Sequence, residues 1–314
     1  MPRSAGSPVL QSALRSVVAI FGPTASGKTA VAEAVAERLG GEVVSADSMQ
    51  AYQGLPILTA QPERPTRLVG IWSLSHEGSV AEYAQLAHAA IDEILAAGRT
   101  PVVAGGTGLY LRAALAQLEL PPAPSLEQRA WWEQLYDRLG PERAYDVLAQ
   151  RDPGAATRLH PNDRRRVVRA LELSELGSSL RPTAERLWTS EVRQPTSIFG
   201  LDVPREVLTD RIEQRARSMF HAGVVDEARA ALAGPISSTA AQALGLRDVA
   251  ELPHEEALET LVVRTRRYAA YQRKWMRRIP ALVSVNADRP VDETAHEIVE
   301  VASARQRLPA GRAG

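Results

Sequence analysis

The sequence predicts an α/β fold: a parallel sheet with helices on both faces, interrupted by an all-helical insertion. Three observations carry that expectation. The apolar run Ser16–Phe21 leads directly into a glycine-bounded loop and then into the helical pattern Lys28–Leu39. Short buried-type runs go on alternating with helical periodicity as far as Leu118, the pattern of a parallel sheet with crossover helices. Beyond the break Leu120-Pro-Pro-Ala-Pro-Ser125, residues 125–187 show helical patterns only, and Thr196–Val203 (TSIFGLDV) resumes the sheet.

In chain order, residues 1–15 mix Pro, Ser, Gly and Arg and read as a disordered leader without the apolar stretch of a signal peptide. The first strand, Ser16–Phe21, opens onto Gly22, Pro23, Thr24, Ala25, Ser26, Gly27, Lys28 and Thr29. This is G-x-x-x-x-G-K-[ST], in which backbone N–H groups and the Lys cradle a diphosphate and the final hydroxyl holds Mg²⁺. The core is therefore P-loop NTPase-like. The helix after the loop ends at Gly40-Gly41, and Glu42–Ala46 forms a second strand that delivers Asp47. Residues 53–78 are rich in Pro, Gly and Arg and read as loop with short strands. Val80–Ala97 is helical, with Tyr83, Leu86, Ala90, Ile91, Ile94 and Leu95 on its inner side. Pro101–Ala104 is a buried strand, turning through Gly105–Gly108 into the helix Leu109–Leu118. Further helices cover Pro204–Phe220, Val224–Leu232, Ala241–Ala250 and Glu255–Ile279. The resulting domains are a core at 16–120 and 196–302, an insertion at 121–195 and a frayed tail at 303–314. Ligands of such a sheet lie beyond the C-terminal strand ends, where the loop, Asp47 and Thr107 fall.

Composition narrows the chemistry. The absence of Cys excludes disulfides, thiol nucleophiles and Cys-ligated zinc, and is compatible with a reducing compartment. A cytoplasmic monomer without a membrane span is the expectation. Formal net charge is zero, so any basic surface is local. All but Lys28 and Lys274 of the 37 basic residues are Arg. Lysine thus stands in the loop, where a compact point charge suits phosphate better than a planar fork.

Four features have a bland alternative beside the functional one. Asp47, next to a diphosphate loop, serves as general base or Mg²⁺ ligand, or else caps a helix starting at Ser48. Arg215 stands in the stripe Leu208, Ile212, Met219, where it meets a diphosphate or else snorkels to water. Arg164, Arg165, Arg166 and Arg169 open one helix, and Arg266, Arg273, Arg277 with Arg267, Lys274, Arg278 line another. These are phosphate-backbone footprints or solvated faces.

Seven segments, GPTASGKT (22–29), SADSMQAYQG (45–54), AGGTGLYL (104–111), HPNDRRRVVRALEL (160–173), RIEQRARSMFHAG (211–223), QALGLRD (242–248) and TRRYAAYQRKWMRR (265–278), together resemble the tRNA dimethylallyltransferases, or tRNA isopentenyltransferases, of bacterial type. They occur in the family's order over residues 16–280. The resemblance implies transfer of a dimethylallyl group from dimethylallyl diphosphate to the exocyclic amine of the adenosine 3′ of the anticodon in a tRNA anticodon stem-loop. It implies Asp47 as general base, and Lys28, Arg215, the loop amides and Thr29 with Mg²⁺ as the groups stabilising diphosphate. It further implies tRNA contacts at Asp47, Ser48, Met49 and Gln50, at Thr107, at Arg165, Arg166, Val167, Val168 and Arg169, and at Gln242, Ala243, Leu244, Gly245, Leu246 and Arg247, with Arg129 added.

Three departures from the family pattern fall on the acceptor side: Leu58-Thr-Ala-Gln-Pro62 for G-T-A-K-P, Pro65–Gly70 for a His-His-Leu-Ile-Asp-like stretch, and Leu246 for a Tyr expected to pack against tRNA. Two alternatives stay open: a P-loop small-molecule or nucleotide kinase binding ATP, and a non-catalytic RNA-binding paralogue. Against the kinase, the strand PVVAGG lacks an acidic residue to order Mg²⁺.

Overall fold

A computed structural model describes residues 16–118, 120, 125–180, 187 and 189–307. The leader expected over 1–15 lies outside them. Five strands form one parallel sheet: β1 (Val17–Phe21), β2 (Glu42–Ser45), β3 (Pro101–Gly105), β4 (Thr196–Asp202) and β5 (Val283–Asn286), in the order β2-β3-β1-β4-β5. The central strand β1 is buried along its whole length, as an unbroken apolar run between two helical layers requires. Its helices are α1 (Lys28–Leu39), α2 (Val80–Ala96) and α3 (Gly108–Leu115) before the second unit, and α8 (Arg205–His221), α9 (Val224–Ala233), α10 (Leu246–Glu251), α11 (His254–Met276) and α12 (Val291–Arg307) after it. The chain divides into two compact units, the first running to Ala116 and resuming at Glu191, the second being Gln117–Ser190.

The second unit holds α4 (Leu126–Leu139), α5 (Pro141–Arg151), α6 (Pro153–Ala156) and α7 (Arg164–Glu175). Ser125 and Gln128 close a capping box at the start of α4, and the Asp163 carboxylate accepts the Arg166 N–H to start α7. Trp132, Leu148, Val167, Val168 and Leu171 fill its core.

The observed structure differs from the sequence expectation in five places. β5 and α12 have no counterpart in it. α12 reaches Arg307, so residues 303–307 are helical, and the rest of the expected tail lies outside the described residues. The helix expected over Ala241–Ala250 is a 3₁₀ turn, Ala240–Gln242, followed by α10; Gly245, at φ 82°, breaks the continuity. Leu86, expected inside, is 38% exposed, because Ala84 and Ala87 supply the contact face of α2 instead. Residues 53–78 contain turns and only isolated bridges, Val44 with Arg67 and Tyr52 with Trp72.

Candidate active site

The loop after β1 wraps tightly. Gly27 takes a left-handed φ of 85° at the start of α1, and a Cβ at Gly22 would come within 2.7 Å of Ser26 Oγ. Ser26 is buried, and its hydroxyl has no hydrogen-bond partner among the described residues. Lys28 is half-buried, its ammonium donating to the Pro23 carbonyl at 2.7 Å. Burial brings its pKa down to about 8; the charge of Asp47 opposes the drop and that of Arg215 adds to it. A desolvated cation and an unsatisfied hydroxyl in one amide-lined loop describe a socket for an anion.

Arg215 comes to this socket from α8. Its Nη1 donates to Thr24 Oγ1 at 3.1 Å, and burial lowers its pKa while Asp47 raises it. Of its two readings, the snorkelling one is therefore not the arrangement adopted. Asp47 follows β2 and acts electrostatically on both cations. Its Oδ1 accepts the Met49 N–H at 3.0 Å, closing a turn rather than capping a helix. The structure thus brings Lys28, Asp47 and Arg215 to one place. Thr29 opens α1 with its side chain exposed.

Behind Asp47 the acceptor side is built from side-chain to backbone bonds. Thr107 Oγ1 lies 3.4 Å from the Ser48 N–H, and Gln50 joins Ser45 Oγ to the carbonyl of Ala60. The altered segment 58–70 is integrated here. Gln61 donates to the carbonyls of Gln50 and Tyr52, and Arg67 pairs with β2 through its backbone and with Glu42 through its guanidinium.

Sequence reading passed over two residues of this site. Gln272 and Tyr268, one turn apart on the inner face of α11, were legible only as inward positions. Gln272 bonds Thr24 and Gly106, and the Tyr268 hydroxyl lies 3.5 Å from Thr107 Oγ1. Burial, with the charge of Asp47 behind it, raises the Tyr268 pKa and keeps the phenol protonated. An amide standing in a stripe with Leu261 and Val262 was the available signal.

The residues named for RNA separate into faces and core. Arg165 and Arg166 on α7 are exposed, whereas Val167 and Val168 are buried in the helical unit and offer RNA no side chain. Arg129 and Arg169 are half-buried and both bond Glu172, itself 2% exposed. Gln242 and Arg247 are exposed and Leu244 is half-buried, but Ala243, Gly245 and Leu246 are buried. The side chain at 246 packs in the core cluster, so Leu for Tyr there removes no exposed aromatic.

A family profile described as IPP transferase matches residues 50–279, and another described as isopentenyl transferase matches residues 15–68. The chain belongs to the IPP transferase family. It is 40% identical to the tRNA dimethylallyltransferase of Corynebacterium jeikeium over 87% of this chain and 92% of that one. It is 42% identical to that of Streptomyces coelicolor over 84% and 88%. A solved tRNA isopentenylpyrophosphate transferase from Bacillus halodurans superposes with a TM-score of 0.67 at 34% identity, covering 93% of this chain and 97% of that one. A eukaryotic dimethylallyltransferase acting on tRNA shares the fold, at a TM-score of 0.76 and 24% identity. The kinase alternative has no such support. Among the described residues no helix is long and apolar enough to cross a membrane.

Proposed function

We propose that this transferase moves the dimethylallyl group of dimethylallyl diphosphate onto the N6 amine of the tRNA adenosine 3′-adjacent to the anticodon, releasing diphosphate. The observation that carries the reading is the convergence of a half-buried, desolvated ammonium, a half-buried guanidinium and a carboxylate on one glycine-bounded loop. Attack of the amine on the allylic carbon forms the C–N bond as the C–O bond breaks, and its electron pair leaves on diphosphate. Negative charge grows on the diphosphate, and Lys28, Arg215 and the loop amides are the donors that would stabilise it in the transition state. Asp47 accepts the N6 proton. The adenine must leave its stack to reach this site.

Mg²⁺ is part of the proposal. No cluster of three metal-ligating side chains occurs among the described residues, which suits an ion held by the exposed Thr29 hydroxyl, substrate oxygens and water. When bound, it would neutralise charge on the diphosphate. Exposed Arg165, Arg166 and Arg247, with Gln242, are the side chains offered to tRNA, and a cytoplasmic monomer suffices for the chemistry.

Incubation with labelled dimethylallyl diphosphate, Mg²⁺ and unmodified tRNA should yield prenylated adenosine. Phosphate release from ATP with no prenyl transfer would overturn the reading.

A further inference from the structure

Gln272 is 2% exposed on α11, on the same face as Leu261, Ala269 and Met276. An amide buried that deeply needs partners within the protein. Its Oε1 accepts the Thr24 backbone N–H at 2.7 Å, and its Nε2 donates to the Gly106 carbonyl at 2.9 Å. A backbone N–H can only donate and a carbonyl only accept, so the two bonds fix the orientation of the amide.

The two partners belong to opposite halves of the site. Thr24 is in the phosphate loop, and its hydroxyl takes the hydrogen bond from Arg215. Gly106 precedes Thr107, whose hydroxyl faces Ser48 and Tyr268. We propose that Gln272 is a positioning residue that ties the phosphate loop to the Gly106–Thr107 turn, holding leaving group and attacking amine in register. The inference rests on the prenyl-transfer reading above. Displacement at carbon requires both partners at near-contact distance and in line, so a shift of about 1 Å between the halves costs up to roughly 10²-fold in rate.

Packing supplies a second way to break the tie. A Cβ at Gly106 would lie 2.2 Å from Gln272 Nε2, so Gly106→Ala must push the amide out. Once Gln272 is Ala, that clash is gone, and what remains is a 3.2 Å approach to the Gly22 carbonyl oxygen that a shift of a few tenths of an ångström relieves.

The test uses the full chain, inorganic diphosphate binding by calorimetry, and turnover at saturating substrates. Gln272→Ala and Gly106→Ala should each weaken diphosphate binding by roughly tenfold, as loss of one or two buried hydrogen bonds implies. Each should lower kcat further, by about 10²-fold, and the double variant should be no worse than Gln272→Ala. Additive losses, or kcat per folded molecule unchanged with only a lower thermal midpoint, would overturn the positioning role. If Gln272→Ala does not fold, Gln272→Met fills the space without either bond; wild-type affinity and turnover in that variant would overturn the role equally. Wild-type protein that binds no diphosphate would instead sink the transfer reading, and this inference with it.

Discussion

The phosphate loop and the arginine-rich helices both carry positive charge, but they hold it in opposite ways. At the loop, Lys28 and Arg215 are half-buried and desolvated enough to lower the pKa of each, with Asp47 as their acidic neighbour. On α7 and α11 most of the arginines are exposed or half-exposed, and many already have acids: Arg164 with Asp137, Arg266 with Glu213, Arg273 with Asp202. Exposed pairs of that kind are worth little and are screened by salt. A desolvated cation short of partners carries a standing cost, which an anion would relieve. The first arrangement therefore names its ligand more sharply than the second does.

The largest effects belong to the loop. Lys28→Met should lower turnover by roughly 10³-fold, the scale of losing a preorganised donor to a departing oxyanion. The same change should raise the thermal midpoint of the ligand-free protein at neutral pH, since a charge whose desolvation outweighs the help of Asp47 is removed. A lower midpoint would mean that Lys28 is already adequately paired within the fold, and the contrast would collapse. Asp47→Asn should cost about 10²- to 10⁴-fold in turnover with tRNA affinity little changed, because only proton acceptance is lost. Full turnover would remove Asp47 from the base role.

A pH series sharpens the contrast further. With Lys28 held at about 8 rather than its ordinary 10.5, the ammonium is present below pH 8 and lost above it. Diphosphate binding to the free protein should then weaken above pH 8, by up to about tenfold per unit, as binding must take up a proton. Between pH 8 and 10.5 the unfolded chain retains a proton that the ligand-free folded chain has released, so Lys28's contribution makes stability rise with pH there. A flat affinity profile, read by calorimetry, would contradict this.

The sheet and the cradle were legible because their signals are local. A loop motif between an apolar run and a helix fixes its own geometry, and Arg215 betrayed itself by standing in an apolar stripe. What escaped the sequence reading depends on distant partners. Gln272 meets Thr24 and Gly106 only after folding, and β5 is a four-residue strand too short to announce itself. α12 is a different case: Ala295, Ile298, Val299 and Ala302 are buried at helical spacing, a period that was present to be read. At 246 the resemblance suggested an RNA contact, whereas the φ of Gly245 starts α10 there and Leu246 is buried.

The smallest predicted effect probes the exposed pole, where neighbouring arginines divide by burial. Among the described residues Arg165 makes no ion pair, and Arg166 pairs only with the i−3 carboxylate of Asp163, at 3.6 Å. Replacing either by Ala should weaken tRNA binding two- to tenfold and reduce the salt slope by about one, with stability within about 0.5 kcal/mol. Arg169, on the same helix, should behave differently. Its Nη1 bonds the buried Glu172 at 3.0 Å, so Arg169→Ala leaves that carboxylate with less compensation and should destabilise the helical unit by about 1–3 kcal/mol. Chemical denaturation of the full chain and a salt titration of tRNA binding, run on all three variants, would separate the two kinds of arginine. If Arg165→Ala and Arg166→Ala left the salt slope unchanged, this face of α7 would be solvated surface, and RNA contact would fall to Gln242 and Arg247 instead.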